Sequence, residues 1–521
     1  MKKHSLQWLI LTAISITTTL AVYSTVSTVL LGQVITDSLA IDGARSSWIT
    51  IIYLLGANTI VPIANRIADR LGYKKVFLLG VALFFLGTLG SGLSQNFFMI
   101  TTSRLIEGVG SGFIYPVGLA IIVQSFSKKH LSVAINIYMA AVFGIGFAGG
   151  SIVSGYYGFL NLWRGSFLWT LIPISLSFVI ACILCTETKR VQRGSFDYAG
   201  FFFFASFVSC IIVFLEQGNL PSTNEGWRSS YIIFCMIGAV VFMIATLLLE
   251  KGATNPIIPL PLFKYATFTT GSMTLFAIGS VIFSTTNVAV EYMQEGLLYD
   301  RLKIGKILSI YGTMLGIGPL IANLLMKKIS PTILSVFGLC VLICSLFLSN
   351  IISIQSSEVP IIIMLTVRGL AVGISVGPVV ASALKALPKE LGSDGSTMLT
   401  FFRQVGATYG GSIFSLIAIR RNIFHKEIFF TSMNQHLSAY KNAVFNLKNE
   451  VFAGSLSQGA MRAKVEIIDY VNRQSYIQSL NDANIFMGYI VMAMTILLCI
   501  SNILTYLQKK RREKHHLETA P

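Results

Sequence analysis

The residues best placed to do chemistry in this chain are Arg104 and Glu107, three positions apart in the run FFMITTSRLIEGVGSGFIYPVGLAIIVQSF over 97–126. A bilayer is crossed by about twenty apolar residues, so this run spans it and the pair falls near its middle. Positions three apart share one helical face, and ionisable groups at such depth face a protein interior or a water-filled cavity. Two roles fit. In the first, Arg104 holds Glu107 ionised, and separating the two during a conformational change raises the carboxylate's proton affinity, which couples binding to proton movement. In the second, the pair is a permanent internal ion pair that orients helices. A further membrane arginine, Arg368 in RGLAVGISVGP, is a candidate for the same central region.

The elements that must position these groups are membrane helices. Of 521 residues, 54% are hydrophobic and 12% charged, with a mean hydropathy of +0.72; that excludes an ordinary soluble globule and a disordered chain alike. Runs long enough to span lie at 8–31, 48–68, 75–94, 97–125, 131–155, 165–186, 198–217, 229–249, 266–288, 304–326, 331–352, 359–384, 398–419 and 483–507. The expected fold class is therefore all-α integral membrane, with about fourteen helices. The first run is too long for the roughly 7–15-residue core of a cleavable signal and reads as a span.

An even count puts both termini on one side, and Lys2, Lys3 and the tail KKRREK assign that side to the cytoplasm. Short loops agree: Arg66, Arg70, Lys74 and Lys75 follow the second run, Lys189, Arg190 and Arg193 the sixth, Lys327 and Lys328 the tenth. The exception is Arg301, Lys303 and Lys306 on the opposite side. Net charge +17 thus reads as a topology signal rather than a nucleic-acid surface. The seven cysteines all lie in apolar runs, so neither a disulfide framework nor a metal site is expected. No GxxxxGK[ST] loop is present to argue for ATP, and no clustered nucleophile, base and ligand set argues for an enzyme.

An internal echo links the two ends of the chain. The fourth run carries Arg104 and the twelfth Arg368, while GGSI at 149–152 in the fifth returns at 410–413 in the thirteenth. Each pair is eight runs apart, as a six-helix unit recurring around two inserted helices requires. The domains expected are 1–195, a six-helix bundle; 196–262, two inserted helices; and 263–521, a second bundle carrying an extracytoplasmic loop at 420–482 and a basic tail. The loop's patterning, YKNAVFNLKNEVF for instance, suits either a small helical cap or a solvated segment.

The loop after the second run, NRIADRLGYKK over 65–75, resembles the signature of the major facilitator superfamily at this place: Asp69, Arg70, Gly72, Lys74 and Lys75 match, while Asn65 stands where the family has glycine. The resemblance implies a gating turn, in which an acid meets a neighbouring helix end or arginine. Arg104-Leu-Ile-Glu107-Gly108 is similar to the family's membrane arginine motif, with Glu107 at its glutamine position. Trp163 and Arg164, FDYAG at 196–200, EQG at 216–218, YMQ at 292–294, Arg368 with Gly369, and RQVG at 403–406 resemble the fourteen-span drug:proton antiporters. The implied architecture is the major facilitator fold, two six-helix bundles plus two inserted helices rocking about a central cavity lined by spans one, four, five, nine, twelve and thirteen.

Two departures qualify the resemblance. The antiporter motif of span five has Gly-Pro, two residues, Gly-Gly; here Ile145, Gly146, Phe147, Ala148, Gly149 and Gly150 lack the proline, leaving small residues, with Gly410 and Gly411 in the thirteenth span, to permit bending and close packing. Span one has Ser24 and no acid where the subgroup has aspartate, which shifts the expected cargo towards neutral or anionic compounds. Glu216 and Glu291, near the extracytoplasmic ends, are expected to be structural or to line a mouth; Arg403 and Gln404 are expected to make cytoplasmic-end packing or gate contacts. The function implied is proton-coupled efflux of a small amphipathic compound, a drug or a secreted metabolite such as a siderophore, by a multi-pass protein of the inner membrane. Its energy source would be the proton gradient, with no cofactor. Its partners would be the small-molecule cargo, protons, the lipid bilayer and, in cells with two membranes, a periplasmic adaptor and an outer-membrane channel. The alternatives are uptake by the same fold, and a non-transporting receptor or scaffold derived from it.

Overall fold

In lipid every backbone polar group has to be satisfied within the protein, and a helix does so inside a single segment. The computed structural model, which describes residues 3–187, 197–218, 226–252, 257–388, 391–432 and 456–518, accordingly contains helices and no strand among the described residues. The first bundle comprises α1 (Lys3–Ser38), α2 (Trp48–Leu71), α3 (Tyr73–Leu93), α4 (Phe97–Ser125), α5 (Lys128–Met139, a π-turn at Ala140–Ile145, then Gly146–Phe159) and α6 (Trp163–Leu168 and Leu171–Leu184). Two inserted helices follow, α7 (Tyr198–Gln217) and α8 (Ser230–Gly252). The second bundle comprises α9 (Ala266–Glu291, ending in a π-turn at Tyr292–Gly296), α10 (Arg301–Leu325), α11 (Pro331–Phe347), α12 (Glu358–Lys385), α13 (Gly392–Ser432) and α14 (Leu456–Glu518).

Local chemistry sets several starts. Asn96 caps α4 by accepting from the Met99 N–H at 2.9 Å, Asp197 caps α7 through Gly200 at 2.8 Å, and Asp300 caps α10 through Lys303 at 2.9 Å. The FDYAG motif thus has a helix-capping role. Gly72, between α2 and α3, has φ +101°, a region that L side chains rarely adopt.

The sequence echo is realised as repeated packing. In the first bundle α4 packs on α3 and α2, and α1 on α5 and α6; in the second, α12 packs on α11 and α10, and α9 on α13 and α14. The bundles meet along α2 with α13 and along α5 with α10, a reciprocal arrangement that a twofold repeat generates. Helix α7 packs on both α2 and α13, whereas α8 packs mainly on α7 and leaves most of its apolar surface outward, as a lipid-facing helix does.

Among the described residues, thirteen helices are long and apolar enough to cross a membrane. The expected run at 398–419 lies in α13, which is more polar but is packed along its length on α9 and α14; its polarity is accommodated by protein rather than lipid. Of the two expectations for 420–482, a helical cap or a solvated segment, the described parts are helical. Residues 420–432 continue α13 and residues 456–482 continue into α14, forming two helical arms. Asp482 pins them together by accepting from Arg421 and by pairing with His425 Nε2 at 2.7 Å. Both arms keep their backbone hydrogen bonds internally by remaining helical. The YKNAVFNLKNEVF stretch lies outside the described residues.

Candidate functional site

Arg104 and Glu107 sit on the face of α4 directed into the first bundle, and both are fully buried. Arg104 Nη1 donates to Glu107 Oε2 at 2.9 Å and to Ser24 Oγ on α1 at 2.7 Å. Ser24 in turn donates to Glu107 Oε1 at 2.5 Å, and Ser91 on α3 donates to Oε2 at 3.2 Å. The guanidinium lies over the Tyr53 ring of α2, 4.2 Å from its centroid, an attraction that strengthens in a desolvated setting. The close approach of α3 is set by Gly87, where a Cβ would stand 2.6 Å from the Glu107 Cα. Four helices therefore converge on one charge pair, and Ser24 bridges both partners. The carboxylate that faces Arg104 comes from its own helix, since span one supplies a hydroxyl instead.

Arg368, the counterpart on α12, is equally buried but has neutral partners. It donates to Asn484 Oδ1 on α14 at 3.1 Å, to Ser349 Oγ at 2.6 Å, to the Ser345 carbonyl at 3.0 Å and to Thr285 Oγ1 on α9 at 3.4 Å. No carboxylate lies within ion-pair distance of it among the described residues. Both arginines are sealed inside their own bundles.

The space between the bundles is elsewhere. A cavity of about 490 Å³ is lined by α5 (Leu131 to Phe143), α9, α10, α12 and Arg403 of α13. The lining expected from spans one and four is not observed; α10 contributes instead, through Leu315, Pro319 and Met326. The reason is geometric. From the end of the π-turn onward, α5 and α10 are locked by small residues at Gly144 with Gly316, Ala148 with Gly312, and Gly155 with Gly305, so the cavity lies in the half nearer the basic loops. The π-turn at Ala140–Ile145 falls beside the proline-free antiporter motif, and an extra-residue turn is itself a recognised cause of bending. Gly146 and Gly150 pack on α1, where a Cβ would stand 3.0 Å from Val22 and 3.1 Å from Val26; Gly149 faces open space. In α13, Gly410 packs on Ser280 of α9, and a Cβ on Gly411 would meet Asn287 only at 3.6 Å.

Arg403, expected to make packing or gate contacts near the cytoplasmic end of its span, reaches the other bundle. Because α13 begins at Gly392, Arg403 lies about three turns inside it. Its guanidinium stacks on Phe143 of α5 (4.7 Å) and Tyr115 of α4 (5.1 Å), both in the other bundle. Gln404 is half-buried beside it.

At the basic face, residues at and before the loop between α2 and α3 tie the bundles together. Asn65 Nδ2 donates to Thr397 Oγ1 on α13 at 3.1 Å, and deeper in, Asn58 donates to Thr408 at 2.7 Å. Asp69 is buried and accepts from the Tyr73 hydroxyl at 2.8 Å; with Asn65 and Arg66 it faces Asp394 and Thr397 across a narrow crevice. The carboxylate of Glu187, after α6, accepts from the Lys74 N–H at 3.2 Å and lies where a Cβ on Gly72 would have to go. At the opposite face, Gln33 of α1 is bonded to Gln294 and accepts from Arg301 at 3.4 Å. Glu216 accepts from Ser412 at 2.5 Å, tying α7 to α13, and Glu291 accepts from Tyr476 at 2.9 Å. Both are structural ties between helices.

Sequence reasoning missed Tyr53, Ser91 and Asn484. Polar residues repeated inside the apolar run LNDANIF were the one available signal for Asn484; nothing local marks the other two.

A model of the Major Facilitator Superfamily matches residues 12–215. The uncharacterised MFS-type transporter YhcA of Bacillus subtilis (strain 168) is 24% identical over 492 residues, covering 92% of this chain and 90% of that protein. Multidrug resistance protein 3 of the same organism is 24% identical over 449 residues, covering 84% of this chain and 85% of that one. A solved bacterial homologue of the human drug peptide transporters PepT1 and PepT2 superposes with a TM-score of 0.60 at 12% identity, covering 97% of this chain and 99% of that one; this likeness concerns the fold. With its two packed bundles, inserted helix pair and matching sequence signature, the chain is a multi-pass membrane protein with the major facilitator fold, similar over residues 12–215 to that superfamily and along most of its length to MFS-type transporters.

Proposed function

We propose that this transporter exports a small amphipathic compound, drug or secreted metabolite, in exchange for protons by alternating access. The observation that carries the reading is the cavity of about 490 Å³ between the bundles, bounded at one end by the α5–α10 glycine contacts and reaching Leu131, Met326 and Leu384 in the half nearer the basic-loop face. The excess of basic loops supports a cytoplasmic location for that face and for both termini, in the inner membrane of the cell. Cargo entering there from the cytoplasm or the inner leaflet would leave when the contacts exchange.

Proton coupling rests on the Arg104–Glu107 pair. A rocking bundle that drew Ser24 and Ser91 away would leave the carboxylate with fewer hydrogen-bond donors, which is how its protonation would be tied to the conformational change. The energy source is then the proton gradient, since one charge moved through 100 mV is worth about 2.3 kcal/mol. In a cell with two membranes, the helical arms at 420–432 and 456–482 are the surface offered to an adaptor and outer-membrane channel. The test is proton flux in proteoliposomes with an imposed pH gradient, wild type beside Glu107→Gln. Collapse of the gradient by a compound in the wild type alone supports the reading; an equal response of both proteins assigns the pair a structural role.

One observation favours a second reading, a receptor that binds without turnover: both charged partners are sealed from solvent. Ligand binding without flux of either ligand or protons would select it.

A further inference from the structure

Among the described residues, Arg403 is an arginine without a counter-ion. It is 8% exposed, and among the described residues it has no carboxylate within ion-pair distance and makes no side-chain hydrogen bond. Arg104 has Glu107, and Arg368 has four hydrogen bonds; Arg403 has only the faces of Phe143 and Tyr115. A buried charge in such a setting calls for compensation, and the direction in which compensation can come is visible. The guanidinium lines the cavity, whose other walls are apolar apart from Asn136, with no acidic side chain among the lining residues.

We propose that the cavity selects an amphipathic anion, an apolar or aromatic body with a carboxylate or similar oxyanion that pairs with Arg403. The fork of donors on a guanidinium matches a carboxylate in two parallel bonds, and the two rings already stacked on it hold its plane. The apolar wall, from Leu131 and Met139 across to Val376 and Val380, takes the body of the ligand. An organic cation entering the same space meets a like charge with no acid to offset it. Because Arg403 belongs to the second bundle and its two rings to the first, the anion binds at the contact that changes in alternating access. This assignment rests on the reading of the cavity as the cargo path.

The test uses the full chain in detergent and one matched probe series: 1-pyrenebutyrate, 1-pyrenebutanol and 1-pyrenebutylamine, which share the body and differ in charge. The wild type is expected to bind the carboxylate at least tenfold more tightly than the alcohol, about 1.4 kcal/mol, and to bind the amine most weakly. Arg403→Gln is expected to bind carboxylate and alcohol alike, while Arg403→Lys retains part of the preference. Retained alcohol binding in Arg403→Gln reports that the cavity is intact. Equal binding of the three probes by the wild type overturns the proposal whether or not the variant folds, and so does a carboxylate preference that survives in Arg403→Gln. Proteoliposome flux separates this from the export reading. An Arg403-dependent preference without proton-coupled flux sinks export and leaves anion selection standing, whereas proton-coupled flux of the amine does the reverse.

Discussion

Gly144 of α5 and Gly316 of α10 bring the two bundles together backbone to backbone: a Cβ on Gly144 would stand 2.9 Å from the Gly316 Cα. Small residues are what permit such approach between membrane helices. The contact lies at the end of the π-turn and marks the point at which the cavity ends.

Enlarging this point is expected to be costly. Gly316→Val places a branched side chain against the Gly144 backbone, and overpacking of this kind costs typically about 1–3 kcal/mol. The melting temperature of the purified protein should fall and transport should drop at least tenfold, because the bundles can no longer close. Gly149→Ala, which meets nothing within 4 Å, is the matched control and should leave both unchanged. An unaltered melt and flux in Gly316→Val would remove the contact from the closing surface.

The Arg104–Glu107 pair gives a prediction that separates stability from function. Removing one partner leaves an uncompensated buried charge, so Arg104→Met alone should destabilise by about 3–5 kcal/mol. Arg104→Met with Glu107→Leu removes both charges, and by the same principle recovers most of that loss. If the double variant melts like the wild type yet moves no protons, the pair acts in coupling; if it transports normally, the pair only orients helices. A complementary variant, Ser24→Asp with Glu107→Gln, moves the carboxylate to the neighbouring position on α1. Ser24 is 2.7 Å from Arg104 Nη1, so this variant should keep proton coupling where Glu107→Gln alone loses it.

Asn65, at the position where the family carries glycine, supplies a tie between bundles. The Asn65–Thr397 hydrogen bond spans α2 and α13 at the basic face, and a bond of this kind contributes about 0.5–1.5 kcal/mol net. A double-mutant cycle of Asn65→Ala and Thr397→Val, read by thermal melts, should return a coupling within that range. Labelling of a cysteine placed at Thr408, beneath the tie, should accelerate in Asn65→Ala. A coupling near zero with unchanged labelling would mean that the basic face is held without this bond.

The spans, the sidedness of the basic loops and the placing of Arg104 and Glu107 on one face were determined by the sequence alone, because each depends on neighbours within a few turns. Apolar length, loop charge and a three-residue spacing are local quantities. The recurrence of GGSI and of the membrane arginines likewise foretold a repeat, and equivalent helices do pack in equivalent pairs.

What only the tertiary structure decided is what each buried charge meets. Ser24 lies 83 residues from the glutamate that it bonds, and Asn484 lies 116 residues from Arg368, separations at which no local pattern carries information. The same holds for Arg403. By sequence it opens an apolar run near a helix end, but α13 starts earlier than the apolar pattern shows, since protein packing tolerates polar residues that lipid would not. The fold thereby carries its charge into the space between the bundles. The π-turn in α5 is decided the same way: without a proline to mark it, it becomes visible only in the folded chain, where α5 passes Gly316.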